Sequence, residues 1–341
     1  MNQSDLLVNS SDKEILKKVE SKIQTEKTIP SEYLEIKLNS LGKLSAPVSL
    51  HFRDYTLDDL IELNNHLNDE KYLESLIKVL NSMIFEKEFD CSFLTEEEII
   101  EILLSIHLRW HGTLIQNIPY YIDEDIKDKE LKNAKSNIDY ATVDIKKINT
   151  ITLSEEFKEP FRPEILDNEY YFMLPRIGNG IFAKKYIEEK YLVLDKKFSD
   201  LKALILENQK IKNPLERFKI DEKQLKEYEN YIEAKMYDMI RITTALNIYG
   251  KLENGEIKKF SIEEKIEAYP KVKPQVWKQY TNIKDKYGKF GIDNKVKFFS
   301  FEKKEEITRR LAFQYFHFLP DMELQDDNAI NVSFGIEPKK K

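Results

Sequence analysis

The chain has 341 residues, of which 41% are hydrophobic and 34% charged, with 54 Lys+Arg against 61 Asp+Glu and a formal net charge of −7. That balance disfavours non-specific binding to nucleic acid, and 19 Phe, 18 Tyr and 2 Trp argue against disorder, since disordered chains lack the apolar surface to offset ordering entropy. No run approaches the roughly 18 apolar residues of a membrane span, and the polar start Met1-Asn2-Gln3-Ser4-Asp5 lacks a secretory pattern, so a cytosolic protein is expected. The single cysteine, Cys91, lies between Phe89 and Phe93 and reads as a small buried apolar residue; alone it can form neither an intrachain disulfide nor a multi-cysteine zinc site.

Residues 1–30 form a polar arm in which Ile15, Leu16, Val19 and Ile23 stand close to helical spacing, and Pro30 ends it. The runs Tyr33-Leu34-Glu35-Ile36-Lys37-Leu38 and Val48-Ser49-Leu50-His51-Phe52 predict a small β element turning at Gly42. A helical block follows over 56–111. Thr56 with Asp59, and Thr95 with Glu98, have the spacing at which side chain and backbone cap each other reciprocally, and Glu96, Glu97 and Glu98 suit the positive end of a helix dipole. Leu73, Leu76, Ile77, Leu80, Met83 and Ile84, then Ile99, Ile102, Leu103, Ile106 and Trp110, give two apolar stripes, so the block should be one packed unit with Leu76, Leu80, Leu103 and Ile106 buried.

After Gly112, Ile115, Ile118, Tyr120-Tyr121-Ile122 and Ala141-Thr142-Val143-Asp144-Ile145 predict strands joined by a charged connection at 123–139, and the β-rich stretch continues through Ile151-Thr152-Leu153 and Tyr170-Tyr171-Phe172-Met173-Leu174. Helix is expected over 181–208 with breaks, and again over 222–249, opened by Asp221 with Gln224 and closed by Gly250; its roughly 28 residues would span about 42 Å. Asn254-Gly255 reads as a hairpin or helix exit, short helices follow at 261–268 and 274–287, and Val296-Lys297-Phe298-Phe299-Ser300-Phe301 is strand-like. Glu337-Pro338-Lys339-Lys340-Lys341 reads as a solvated tail.

Candidate chemistry is thin. His107 and His111 are four apart and share a helix face, but Leu108 stands where a zincin carries its Glu, so helix-end contacts are the expected role and no metal is assigned. Arg176-Ile177-Gly178-Asn179-Gly180 lacks the Gly-Lys-Ser/Thr of a phosphate loop and the spacing of a dinucleotide fingerprint, which leaves a tight turn before a helix. The acidic pairs Asp58-Asp59, Glu188-Glu189 and Asp326-Asp327 point apart on a helix, and His51, His66 and His317 have no nucleophile motif beside them. No catalytic or cofactor-binding residue is assigned, and no cofactor is expected.

The run from Leu38-Asn39-Ser40-Leu41-Gly42-Lys43 through Leu50-His51-Phe52-Arg53-Asp54-Tyr55-Thr56-Leu57-Asp58-Asp59-Leu60 resembles the opening of baseplate hub and hub-assembly proteins of contractile-tailed bacteriophages, the T-even hub-subunit family. Leu104-Ser105-Ile106-His107-Leu108-Arg109-Trp110-His111-Gly112, Val143-Asp144-Ile145-Lys146-Lys147-Ile148 and the stretch 313–320 are similar to later parts of that family. Relatives carry paired cysteines after the Gly-terminated helix, whereas residues 113–142 contain none, so by the resemblance the hairpin there is held by Ile118, Tyr120, Tyr121 and Ile122 instead of metal.

The resemblance implies a non-enzymatic protein of virion assembly, a hub subunit or an assembly factor, in the host cytoplasm or the tail baseplate, with other tail or hub proteins as partners. A soluble enzyme whose site forms only in three dimensions, and a cytosolic adaptor unrelated to phage, are the alternatives. The expected fold is α+β, predominantly helical with a small β portion and a long helix in the second half. The divisions expected are an arm at 1–30, a helical block with β-rich extension at 31–175, a helical domain with an aromatic C-terminal segment at 176–325, and a tail at 326–341. Phe313, Tyr315, Phe316, Phe318 and Leu319 are the candidate interface, because aromatic clusters supply contact area at interface cores; ordinary core is the competing reading.

Overall fold

The computed structural model describes residues 29–67, 69, 71–123, 137–211, 218–300 and 304–320. The arm up to residue 28, most of the charged connection and the tail therefore lie outside the described residues. The chain begins with two antiparallel strands, β1 (Leu34–Lys37) and β2 (Ser49–Phe52), in register from Leu34 opposite Phe52 to Lys37 opposite Ser49. Between them Gly42 has φ +68°, the left-handed region where a side chain is strained, and a Cβ there would lie 3.0 Å from Val48 Cγ2.

Three helices follow, α1 (Leu57–Asn65), α2 (Tyr72–Met83) and α3 (Glu96–Trp110). Both expected capping boxes are present: Thr56 and Asp59 cap each other, and so do Thr95 and Glu98. Arg53 Nη1 donates to Asp59 Oδ2 at 2.7 Å while Ser82 Oγ donates to Asp59 Oδ1 at 3.0 Å, so one capping carboxylate also ties β2 and α2 to α1. Leu76, Leu80, Leu103 and Ile106 are fully buried, as the apolar stripes require. Cys91 is buried too, and burial pushes its thiol up to about 12.

Strands β3 (Leu114–Tyr121) and β4 (Ile138–Asp144) pair antiparallel, with an irregularity between Ile115 and Ile118 where Asn117 takes φ +56°. Ile118 and Tyr120 turn into the core, and the Tyr120 ring meets Phe298 edge-on at 4.9 Å. Next come β5 (Thr150–Ile151), β6 (Tyr170–Phe172), and helices α4 (Ile177–Lys197), α5 (Ser199–Lys210) and α6 (Glu222–Ala245). Then β7 (Ile248–Glu253) and β8 (Glu256–Lys259) form a hairpin whose two-residue loop, Asn254-Gly255, has φ +53° and +86°, the conformation that Asn-Gly supplies readily. Helices α7 (Ile262–Ala268) and α8 (Pro274–Tyr287) precede β9 (Gly291–Ile292), β10 (Lys295–Ser300) and β11 (Glu305–Arg310).

The strands fall into five small sheets: β1-β2, β3-β4, β5-β9, β10-β11 and β6-β7-β8. The expectation of a predominantly helical protein is corrected here. Among the described residues there are eight α-helices and eleven strands, 48% helix and 21% strand, which is a mixed α+β fold. Several strands have only two to four residues and close through partners distant in sequence, as β5 does with β9 (Thr150 opposite Ile292), so they carry little local alternation. The long helix ends at Ala245, earlier than expected, because the chain turns into β7. Gly250 is not a helix stop. It lies in β7, where a Cβ would fall 2.1 Å from the Lys258 carbonyl oxygen on β8.

The main core gathers Leu50, Leu80, Ile102 and Ile118 with Val296, Phe298, Leu311 and Phe318, so residues from the far end of the chain close the first helical block. A second cluster lies between α4 and α6, and a third, with Phe172, Ile248, Val276 and Tyr280, lies under the three-stranded sheet.

Candidate functional site

The histidine pair does not converge. His107 Nδ1 lies 3.0 Å from the carbonyl oxygen of Phe318 and its Nε2 3.3 Å from that of Leu114, while His111 Nε2 lies 2.8 Å from Asp54 Oδ1. Each ring is thus turned to its own protein partners, and His107 ties the end of α3 to the C-terminal aromatic segment. Among the described residues no group of three or more His, Cys, Asp or Glu is placed to hold a metal ion.

Arg176 of the glycine-containing turn is the N-cap of α4, and its buried guanidinium donates to Glu159, to Ser45 Oγ at 3.1 Å and to the Leu174 carbonyl at 2.9 Å. Gly178 is needed for close approach: a Cβ would stand 2.8 Å from the Ser92 carbonyl oxygen. Ile177 N–H donates to Leu94 O at 3.0 Å, which fastens this turn to the segment before α3.

A second polar network runs along α3. Asn39 donates both its backbone N–H, at 3.1 Å, and its side-chain amide to the carboxylate of Glu101. Burial nevertheless prevails over those donors and pushes Glu101 up to about 7; the half-buried Glu97 is pushed to about 7 for the same reason. Glu98 caps Thr95 through Oε2 at 2.9 Å. Glu96, Glu97 and Glu98 stand out in the sequence as a helix-start triplet, whereas Glu101 and Glu159 do not. The available signal for Glu101 was a carboxylate set within the apolar stripe Ile99, Ile102, Leu103. His317 is buried as well: its Nδ1 accepts the Gln314 N–H at 2.8 Å, and burial pushes it down to about 4.

Of the candidate interface residues, Phe318 and Leu319 are core, and Phe313, Tyr315 and Phe316 are partly buried against that same core. Phe313 stacks on Phe318 at 5.8 Å. These residues find their packing partners within the chain.

Exposed apolar residues occur at several places, Leu57 and Leu166 among them, and one group of them lies on a helical hairpin. Helices α4 and α6 run antiparallel, with Lys190 against Asp238 and Asp195 against Lys235, and between them pack Ala183, Ile187 and Tyr191 from α4 and Tyr231 and Ile242 from α6. Partial burial would raise Asp238, but hydrogen bonds from Lys190 and from Tyr191 Oη at 3.0 Å outweigh it and hold the carboxyl below its usual range. Asp195 is likewise held low against partial burial by Lys235 Nζ at 2.7 Å and by the Tyr231 hydroxyl.

On the outside, Val193 is 78% exposed, Met236 60%, Tyr237 63% and Ile240 62%. At about 100° per residue, Met236 and Ile240 lie about 160° from Asp238, opposite the stripe that faces α4. Among the described residues such a face offers contact area that is left exposed. No protein-family model matches the chain, and no curated protein or solved structure matches it.

Proposed function

We propose that the chain is a non-enzymatic subunit or assembly factor of a phage tail baseplate hub, acting by protein–protein contact with other tail or hub proteins in the host cytoplasm. The observation that carries the reading is the outer face of the hairpin. Met236, Tyr237 and Ile240, each 60% exposed or more, stand on one helix whose inner side is fixed by Tyr231 and the Asp238 ion pairs. Aromatic residues and Met are the types enriched in interface cores, and exposed apolar patches mark interaction sites. The resemblance in the segments at 38–60 and 104–112 supplies the class of partner.

The test is co-purification of the tagged chain from infected cells, with tail proteins identified by mass spectrometry. Replacing Met236, Tyr237 and Ile240 by Ser should weaken capture of those proteins by tenfold or more, about 1.4 kcal/mol, while the melting temperature stays at wild type. Capture of no tail protein, or undiminished capture by the triple variant, would sink the reading; capture of host proteins alone would favour an adaptor unrelated to phage.

A further inference from the structure

By strand alternation the hairpin of β10 and β11 has two unlike faces. Val296, Phe298, Ser300 and Ile307 are buried on the inner one, with Phe298 against the ring of Tyr120, so the core holds the hairpin in place from that side. Lys295, Lys297 and Phe299 of β10 share the outer face with Glu306, Thr308 and Arg310 of β11, and all are exposed. Register sets Lys295 opposite Arg310, Lys297 opposite Thr308 and Phe299 opposite Glu306. Three cations thus stand against one carboxylate, in a chain whose net charge is −7. Lys147, just after β4, adds to the positive side: with Lys297, the larger influence, it holds the Glu306 carboxyl below its usual range. Like charges directly opposite each other destabilise an antiparallel pair. In β7 and β8 Lys251 stands opposite Lys258 in the same way, but there a carboxylate meets each lysine, Glu169 at 2.8 Å and Glu264 at 3.0 Å. Lys295 has no ion pair among the described residues. The carboxylates close to it in sequence or register are taken up otherwise: Asp293 Oδ1 accepts the Lys295 backbone N–H at 2.9 Å, Glu306 pairs with Lys297, and Glu305 is in register with the inward-facing Ser300. A local cost left uncompensated within the fold marks a surface kept for function.

We propose that the outer face of this hairpin docks an extended acidic segment of a partner protein, one with carboxylates two residues apart. Side chains two residues apart on a strand project to the same side about 6.6–6.8 Å from each other, so such a segment sets its carboxylates at the spacing of Lys295 and Lys297. Arg310 and Lys147 add to the positive field. The Lys297 pair with Glu306, whose side chains are 63% and 52% exposed, is weakly held and can exchange for a partner carboxylate. A nucleic-acid strand fits less well, because Glu306 on the face repels its repeating phosphates, whereas a peptide can place a neutral residue there. This surface is separate from the outer face of α6 and does not rest on the hub reading.

The experiment is fluorescence anisotropy of a labelled peptide of alternating Glu and Thr titrated with the full chain at about 0.05 M NaCl, where charges act over more than about 10 Å. Binding should weaken tenfold or more in Lys295→Gln/Lys297→Gln and vanish in Lys295→Glu/Lys297→Glu, with melting temperatures close to wild type because both side chains are exposed. Lys223→Glu/Lys226→Glu on α6 makes the same change in net charge at exposed positions and should bind as the wild type does. No binding of the peptide, an equal loss in the α6 control, or equally tight binding of a peptide with the same Glu and Thr gathered into two blocks would overturn the proposal. So would tighter binding of a thymidine oligonucleotide of equal charge, which would assign the face to nucleic acid.

Discussion

Around α3 the packing is mainly aliphatic and closed to water, with Leu76, Leu80, Ile102, Leu103 and Ile106 all fully buried, whereas between α4 and α6 tyrosines and ion pairs join the aliphatic residues. Phe198 stacks on Tyr231 at 5.1 Å, and the hydroxyls of Tyr231 and Tyr191 reach the carboxylates of Asp195 and Asp238. The difference matters for function. A core of aliphatics fixes one arrangement by shape, while a pair of helices joined by amphipathic side chains can stand as an arm and keep apolar residues on its outer side. One region is closed by shape, and the other keeps Met236, Tyr237 and Ile240 exposed on its outer side.

The largest test of that division is a truncation in the closed core. Leu103→Ala should cost about 2–5 kcal/mol in a denaturant melt, the penalty for lost contacts plus an unfilled cavity. Ile240→Ala, on the outer face of α6, should cost under about 0.5 kcal/mol. Equal losses from the two would mean that the outer face is covered within the folded chain.

The two regions should also differ in pH dependence. His317 in the main core has its value lowered to about 4 from 6.5, so between those values the unfolded chain binds the proton and the folded chain does not. Its contribution is present above about pH 6.5 and is lost as pH falls toward 4, on the order of 3 kcal/mol in total. Glu101 has the opposite sign: raised to about 7 from 4.5, it keeps its proton in the folded state, so stability falls as pH rises through that window by a similar amount. Glu97, also raised to about 7, adds a second falling slope, so the wild type should lose stability as pH rises from about 4.5 to 7. Urea midpoints measured from pH 4 to 7 should fall with pH in the wild type, become nearly flat in Glu101→Gln and fall more steeply in His317→Gln; identical profiles in all three would show that neither group is buried as described. In the hairpin Asp195 and Asp238 are lowered from 3.8, and their share is lost only as pH drops below about that value.

Local signals carried much of the fold. The spacing of Thr56 with Asp59 and of Thr95 with Glu98 marks helix starts because one helical turn brings those groups together, and Asn254-Gly255 marks its hairpin because both residues accept positive φ. Gly250 misled because a glycine after a helical pattern reads as a cap, while its reason is the carbonyl of Lys258 across the hairpin. Strand β11, Glu-Glu-Ile-Thr-Arg-Arg, is polar enough to read as loop; pairing with Phe298 and its neighbours in β10 makes it a strand. The buried networks were not legible at all. Asn39 meets Glu101 across 62 residues and His107 meets Phe318 across 211, contacts that no local period encodes. The aromatic segment at 313–319 was read by composition as an interface candidate, and composition alone cannot distinguish a surface from the far wall of a core.

The smallest expected effect separates the two kinds of packing by salt. Lys235 reaches Asp195 at 2.7 Å, with side chains 28% and 38% exposed, so solvent screens the pair and Lys235→Met should cost less than about 1 kcal/mol at low ionic strength. In about 1 M NaCl, where the screening length shrinks to about 3 Å, that difference should fade toward zero. The deficit of Leu103→Ala should persist, because lost apolar contacts and a cavity carry no charge to screen. A Lys235→Met deficit that holds its size in high salt would mean that the lysine stabilises the hairpin through the packing of its methylene stem against Tyr231, over whose ring its Nζ lies at 5.7 Å, and not through its charge.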